Sequence, residues 1–192
     1  MTNKMDQVSS MIGGIGAIIC GLIGAISNGL IMWVILKRSK MRKHLTSPIL
    51  FLMCVSNFLF SVIALPIRAS TLFARKWTLG DSLCKIVPLF YWPNVFVSML
   101  SCAFISMNRA IALRNYKLAG TLFSWKKTIF IYNLMWQFSV GMMLFPLYNV
   151  WGTTGYTEHN FFCAMKKTET GNPMKGLLSI GMGILISAVA FR

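Results

Sequence analysis

Residues 84–109 read CKIVPLFYWPNVFVSMLSCAFISMNR. Within this stretch, 86–108 contain no Asp, Glu, Lys, Arg or His, and the run ends abruptly in Asn108-Arg109. Wound as a helix at ~1.5 Å per residue, it is long enough to cross a ~30 Å hydrocarbon core. Lipid offers no partner to free N–H and C=O groups, so the run is predicted to be helical throughout. A cysteine at one end and an arginine just past the other then mark the two membrane surfaces.

The rest of the chain repeats the pattern. Uncharged runs cover 11–36, 45–67, 128–157 and 176–191, and 56% of the 192 residues are apolar. The last run reaches spanning length only if Pro173 opens the helix, a position proline tolerates. The expected architecture is an all-α membrane protein with five spans, at about 11–36, 45–67, 85–108, 128–150 and 173–191. No internal repeat is visible, and residues 1–192 read as one domain. A soluble all-α core is the alternative, and charge-free runs of this length argue against it. The run at 11–36 exceeds a signal peptide's apolar region and lacks a small-residue cleavage site before Lys37, so it is kept as the first span.

A net charge of +15 in a soluble protein would suggest nucleic acid, but here its placement matters more. Residues 37–44 hold Lys37, Arg38, Lys40, Arg42 and Lys43, and residues 109–127 hold Arg109, Arg114, Lys117, Lys126 and Lys127. Neither stretch contains an acid; Asp6, Asp81, Glu158 and Glu169 all fall on the other flanks. The positive-inside rule therefore places 37–44 in the cytoplasm and the N-terminus outside, in a multi-pass protein of the plasma membrane. Anionic lipid of the inner leaflet favours the same orientation. Cys84 and Cys163 then both face the oxidising side, while Cys20, Cys54 and Cys102 lie within spans. A Cys84–Cys163 bridge fits that compartment, with two unpaired loop cysteines as the alternative.

The third span also carries polar groups. Tyr91, Asn94, Ser98, Ser101, Ile105 and Asn108 recur at steps of three and four, along one stripe of a helix. Polar groups facing lipid are costly, so the stripe should meet other helices, with Asn28 and Asn57 as candidates on neighbouring spans. Interhelical hydrogen bonding suffices to explain Ser98 and Ser101; for Asn57 and Asn94 a functional role is an equal alternative. Pro88 and Pro93 are expected to loosen the outer half of this helix. Trp77, Trp125, Tyr148 and Trp151 sit where amphipathic rings anchor at the interface.

These residues resemble those of a rhodopsin-like G-protein-coupled receptor, in particular the arthropod moody and trapped-in-endoderm group, sometimes labelled melatonin-receptor-like. The resemblance covers essentially the whole chain. It rests on Ser27-Asn28, on Val55-Ser56-Asn57-Phe58-Leu59 with Leu65-Pro66, and on Trp77-Thr78-Leu79-Gly80-Asp81-Ser82-Leu83-Cys84. It continues through Ser106-Met107-Asn108-Arg109, Trp136, Pro146, and Val150-Trp151-Gly152 with Cys163. The resemblance implies a Cys84–Cys163 bond pinning the second outer loop over helix three. It implies a G-protein contact at Arg109 and Asn108, and an interior polar network of Asn28, Asn57 and Asn94. A ligand pocket would include Tyr91, Trp92 and Val95, and Arg68 at the outer end of helix two joins it as a candidate for an anionic ligand. Trp136 would pack helix four.

Departures from the family pattern shape the expectations. Asn57 stands where an acid usually holds a sodium ion, and Asn108-Arg109-Ala110 lacks the acid that pairs with the arginine. No span contains an acid, so a biogenic amine is not the expected ligand. Nothing before Arg192 corresponds to helices six and seven. A chain of five helices would lack half the pocket wall and the element whose motion opens the G-protein site, and is not expected to signal alone. The partners implied are a heterotrimeric G protein for a full-length form, an extracellular ligand, membrane lipid and a second receptor copy. Nucleic acid is not among them, and no cofactor or metal is expected.

Two other functions are weighed. A non-signalling five-helix protein could pair with an intact relative and regulate it. A transporter or channel would need inverted repeats or intramembrane ionisable groups, and neither is found. Enzymatic function is not expected: His44 and His159 fall on opposite sides of the membrane, and no nucleophile–base pair appears.

Overall fold

The computed structural model describes residues 2–148, 153–157 and 161–166. Helix α1 (Thr2–Lys37) is followed by a short turn of helix, α2 (Ser39–Arg42), at the end of the bundle expected to be inner, where Arg109 also lies; the Cys84 end is the one expected to be outer. The second span, Ser47–Ala74, consists of α3 (Ser47–Leu59), a π-helical turn (Phe60–Ala64) and α4 (Leu65–Ala74). Helix α5 (Asp81–Arg114) forms the third span, α6 (Tyr116–Leu122) lies along the inner stretch, and α7 (Trp125–Leu147) forms the fourth. Among the described residues, four helices are long and apolar enough to cross a membrane. The expected fifth span, 173–191, lies outside the described residues, as do Val150-Trp151-Gly152.

The spans alternate in direction, as their contacts show. Gly13 and Gly14 of α1 lie against Leu72 and Phe73, Gly21 against Leu65, Gly24 against Ser61 and Gly29 against Phe58, so numbers rise on one helix as they fall on the other. A Cβ on Gly21 would sit 3.2 Å from the Ser61 carbonyl oxygen, and one on Gly24 would overlap Ser61 Oγ. Small residues let two backbones approach where lipid gives no hydrophobic drive to associate. The opposite side of α1 is apolar and exposed, including Leu22, Ile23, Ile26 and Trp33; that side is suited to lipid.

The π turn has a local cause. Pro66 carries no N–H for the carbonyl four residues back, and its ring crowds that carbonyl. One wider turn at Phe60–Ala64, just before Leu65-Pro66, relieves both problems. Helix α5, by contrast, remains helical through Pro88 and Pro93, both buried. Its 34 residues give a rod of about 51 Å, longer than the hydrocarbon core, so both ends project.

The main core lies towards the inner half, where Ile49, Val97, Phe104, Ala119, Phe123 and Tyr132 pack together. Phe123, just after α6, meets Phe104 edge-on at 5.0 Å between ring centres, which ties the inner stretch to α5. Tyr132 Oη donates to Leu52 O (3.1 Å) and lies 2.5 Å from Ser56 Oγ, joining α7 to α3. At the outer end, β1 (Thr153–Thr157) and β2 (Phe162–Lys166) form an antiparallel hairpin with Tyr156 opposite Cys163. The sequence predicts this segment only as an outer loop, because its short, mixed strands carry no apolar alternation.

Candidate functional site

The outer end of α5 is built around one ring. Cys84, in the first turn of α5, is bonded to Cys163 of β2, with Cα atoms 5.1 Å apart. The bond places the preceding residue, Phe162, over the helices, where it is buried at 5% exposure. Its ring meets Tyr91 of α5 at 5.4 Å and Trp77 at 6.0 Å, both edge-on. The Arg68 guanidinium of α4 lies over the same ring at 4.9 Å, a distance at which a cation is drawn to the π face. Tyr91 continues inward to Phe60 at 5.0 Å, and Phe90 joins Phe60 to Trp136. A line of aromatic rings thus runs from the outer hairpin across α5 to α7.

Local structure sets up this cluster. Gly80 has φ +82°, a conformation in which a Cβ is strained, and it opens α5. Trp77 Nε1 donates to the Gly80 carbonyl at 2.7 Å, fixing the turn that presents its ring to Phe162. Trp77 was expected only as an interface anchor; in the fold it supports the hairpin. Arg75 ends α4 in the left-handed region at φ 52°, with its guanidinium over the Phe161 ring at 5.6 Å.

Of the expected pocket residues, Tyr91 and Arg68 are brought together through Phe162. Trp92 also touches the Tyr91 ring, at 5.5 Å, but packs with Leu89, Phe96 and Met143 on the α7 side. Its buried Nε1 has no hydrogen-bond partner. Val95 lies half-buried one turn further along α5. Phe162 was missed by sequence reasoning, although its place beside Cys163 was the available signal.

The expected interior network divides. Asn57 Oδ1 accepts from Ser98 Oγ at 2.9 Å, a bond between the second and third spans. Asn28 Nδ2 instead donates to Gly24 O of its own helix at 2.8 Å. Asn94 is 3% exposed, and its Oδ1 has no hydrogen-bond partner. The structure therefore joins Asn57 to Ser98, and brings neither Asn28 nor Asn94 to that bond.

At the inner end of α5, Arg109 is exposed. Asn108 behaves differently from the sequence expectation of a shared partner contact. It is 1% exposed and donates from Nδ2 to Leu45 O at 3.1 Å, so its side chain fastens the first inner loop rather than facing a partner. Leu113, four residues beyond Arg109, and Tyr116 stand 89% and 67% exposed. Among the described residues, no cluster of His, Cys, Asp and Glu is suited to a metal ion.

A disulfide-held hairpin over the third of several antiparallel spans, with Arg109 exposed at that helix's far end, also fits the comparisons with known proteins. The pattern of the family described as 7 transmembrane receptor (rhodopsin family) matches residues 27–191. The chain belongs to that family. It is a multi-pass membrane protein. Protein trapped in endoderm-1 of Drosophila melanogaster is 30% identical over 173 residues, covering 90% of this chain and 44% of that protein. G-protein coupled receptor moody of Drosophila pseudoobscura pseudoobscura is 27% identical over 159 residues, covering 83% of this chain and 23% of that protein. The chain thus spans less than half the length of these curated relatives. The crystal structure of squid rhodopsin superposes with a TM-score of 0.79 at 20% identity, covering 96% of this chain and 55% of that one. That likeness concerns the fold.

Proposed function

We propose that this chain is the ligand-facing and G-protein-facing part of a receptor that passes an extracellular signal to a heterotrimeric G protein, with its N-terminus outside. The observation that carries this reading is the single rod α5. Its outer end holds Tyr91 under the Phe162 hairpin, and its inner end exposes Arg109 with Leu113 on the same side. A change in packing at one end of a rigid helix can be read at the other, provided the bundle has two arrangements.

The charge pattern supports the proposed orientation, because the acid-free basic stretches 37–44 and 109–127 sit together at the Arg109 end. Arg68, held at the rim over Phe162, favours an anionic ligand, and the lack of acids in 11–36, 45–67 and 86–108 disfavours an amine. The test is basal G-protein activation by the full-length receptor in cell membranes, followed as nucleotide exchange. Arg109→Ala and Leu113→Glu are each expected to lower it at least tenfold at equal surface level. Exchange unchanged by both variants would refute the proposal.

A further inference from the structure

The inner face carries a second concavity that the signalling reading does not use. A cleft of about 450 Å³ opens between the first inner loop and the stretch joining α6 to α7, a volume within the ~300–1,000 Å³ range of small-molecule sites. Its rim carries the cations Arg42 and Lys43 with the polar His44 beside them, all exposed, and its inner wall is apolar, from Leu45, Phe123 and Trp125.

The loop that presents these cations is held from three helices. Ser47 Oγ donates to Met41 O, Trp125 Nε1 to Arg42 O at 3.4 Å, and Asn108 Nδ2 to Leu45 O at 3.1 Å. The Thr46 N–H and hydroxyl both lie at His44 Nδ1, at 3.4 and 2.8 Å. With Nδ1 accepting the N–H, Nε2 carries the ring proton as a donor. The backbone is thus fixed while the charged ends remain available. None of the chain's four acids falls in 37–44 or 109–127, so neither stretch supplies a counter-ion.

We propose that this cleft binds the phosphorylated headgroup of an anionic inner-leaflet lipid. Charge complementarity calls for phosphate. The apolar wall, with Trp125 edge-on to Phe51 at 6.2 Å, stands where the fourth span begins and suits the glycerol and upper acyl region. A multiply phosphorylated inositol headgroup engages the paired cations Arg42 and Lys43 and the His44 Nε2–H donor better than a single carboxylate–phosphate headgroup does. The proposal rests on the inner-side reading of residues 37–44, but its test does not, because nanodiscs expose both membrane faces.

The full chain is placed in phosphatidylcholine nanodiscs with equal mole fractions of phosphatidylinositol 4,5-bisphosphate or phosphatidylserine, and retained lipid is counted by native mass spectrometry. The bisphosphate lipid is expected to be retained at least tenfold more than phosphatidylserine. Arg42→Gln with Lys43→Gln, and separately Gly120→Leu, which fills the cleft beside Leu45, should each cut retention at least fivefold. The charge-matched pair Arg114→Gln with Lys117→Gln, outside the cleft lining, should change it less than twofold. An intact Cys84–Cys163 bond and an unreactive Cys54 thiol report that each variant is folded. Equal loss in the charge-matched pair would show diffuse attraction and overturn the site. So would retention no higher than phosphatidylserine. Displacement by equimolar inositol trisphosphate would assign the cleft to a soluble phosphate, and equally strong capture of a polyglutamate peptide would assign it to an acidic protein segment; either overturns the lipid assignment.

Discussion

Phe162→Ala should loosen the outer hairpin enough to be read at the disulfide beside it. Cys163 is fully buried and Cys84 nearly so, which means a small reductant reaches the bond only when the hairpin lifts. Removing a buried phenylalanine costs ~3–5 kcal/mol, and about 3 is used here because the hairpin caps one end of the bundle. At 1.4 kcal/mol per tenfold, the open population and the rate of reduction rise about 150-fold. Arg68→Ala removes the cation over the same ring, at ~1 kcal/mol, for about fivefold. The two effects share one contact and so should not multiply. Once Phe162 is gone, the contact the two share is already lost, and the double variant should stay near 150-fold rather than approach about 750-fold. The assay is the pseudo-first-order loss of the disulfide in dithiothreitol, followed by mass shift in detergent at fixed pH. A Phe162→Ala rate within twofold of the parent would refute the placement of the ring as the hairpin's anchor. A full product in the double variant would refute the Arg68 contact.

Gly24→Val should destabilise the α1 contact by ~1–3 kcal/mol through overlap with Ser61, whereas Gly16→Val, with open space around it, should not. The buried Cys54 thiol, in a Cys20→Ser, Cys102→Ser background, reports both as the temperature at which labelling begins. Asn57→Leu should cost ~0.6–1.7 kcal/mol by losing the Ser98 bond, and adding Ser98→Ala should cost little more; strictly additive losses in the same thermal assay would count against the pair. Asn108→Ala should release the Leu45 carbonyl and cost ~1–2 kcal/mol, seen as roughly tenfold faster tryptic cleavage after Arg42 and Lys43.

Much of this architecture is legible in the amino-acid order because a bilayer imposes a coarse demand. Charge-free length reveals the spans, and the uneven placement of 19 basic residues separates the two ends. Compartment makes a Cys84–Cys163 bridge plausible and leaves two unpaired cysteines open; the bond itself is seen in the fold. What escapes such reading depends on three-dimensional choice rather than periodicity. Asn28 has a backbone carbonyl within reach one turn back, and that local partner competes with any residue on another helix. Asn108 belongs to the stripe expected to face other helices, while the resemblance pairs it with Arg109 as a partner contact; successive helical positions differ by about 100°, which takes it under the first loop. Phe162 sits in a short loop segment without pattern, and only the disulfide beside it makes its position special. The wide turn at Phe60–Ala64 is foreshadowed by Pro66, but a proline can equally kink a helix, and composition does not select between the two.

That wide turn also acts as an angular offset. It holds one residue more than an α-helical turn would, so everything beyond it is rotated by about 100° relative to a uniformly wound rod. Thr71 and Ala69 are buried, and Arg68 reaches the hairpin, in the orientation this offset provides. Without it, Arg68 would point more than a quarter turn away, and the cation at the rim would belong to a different sequence position. The heading of the outer half of the second span is therefore decided at the membrane's mid-depth, well away from the residues that use it.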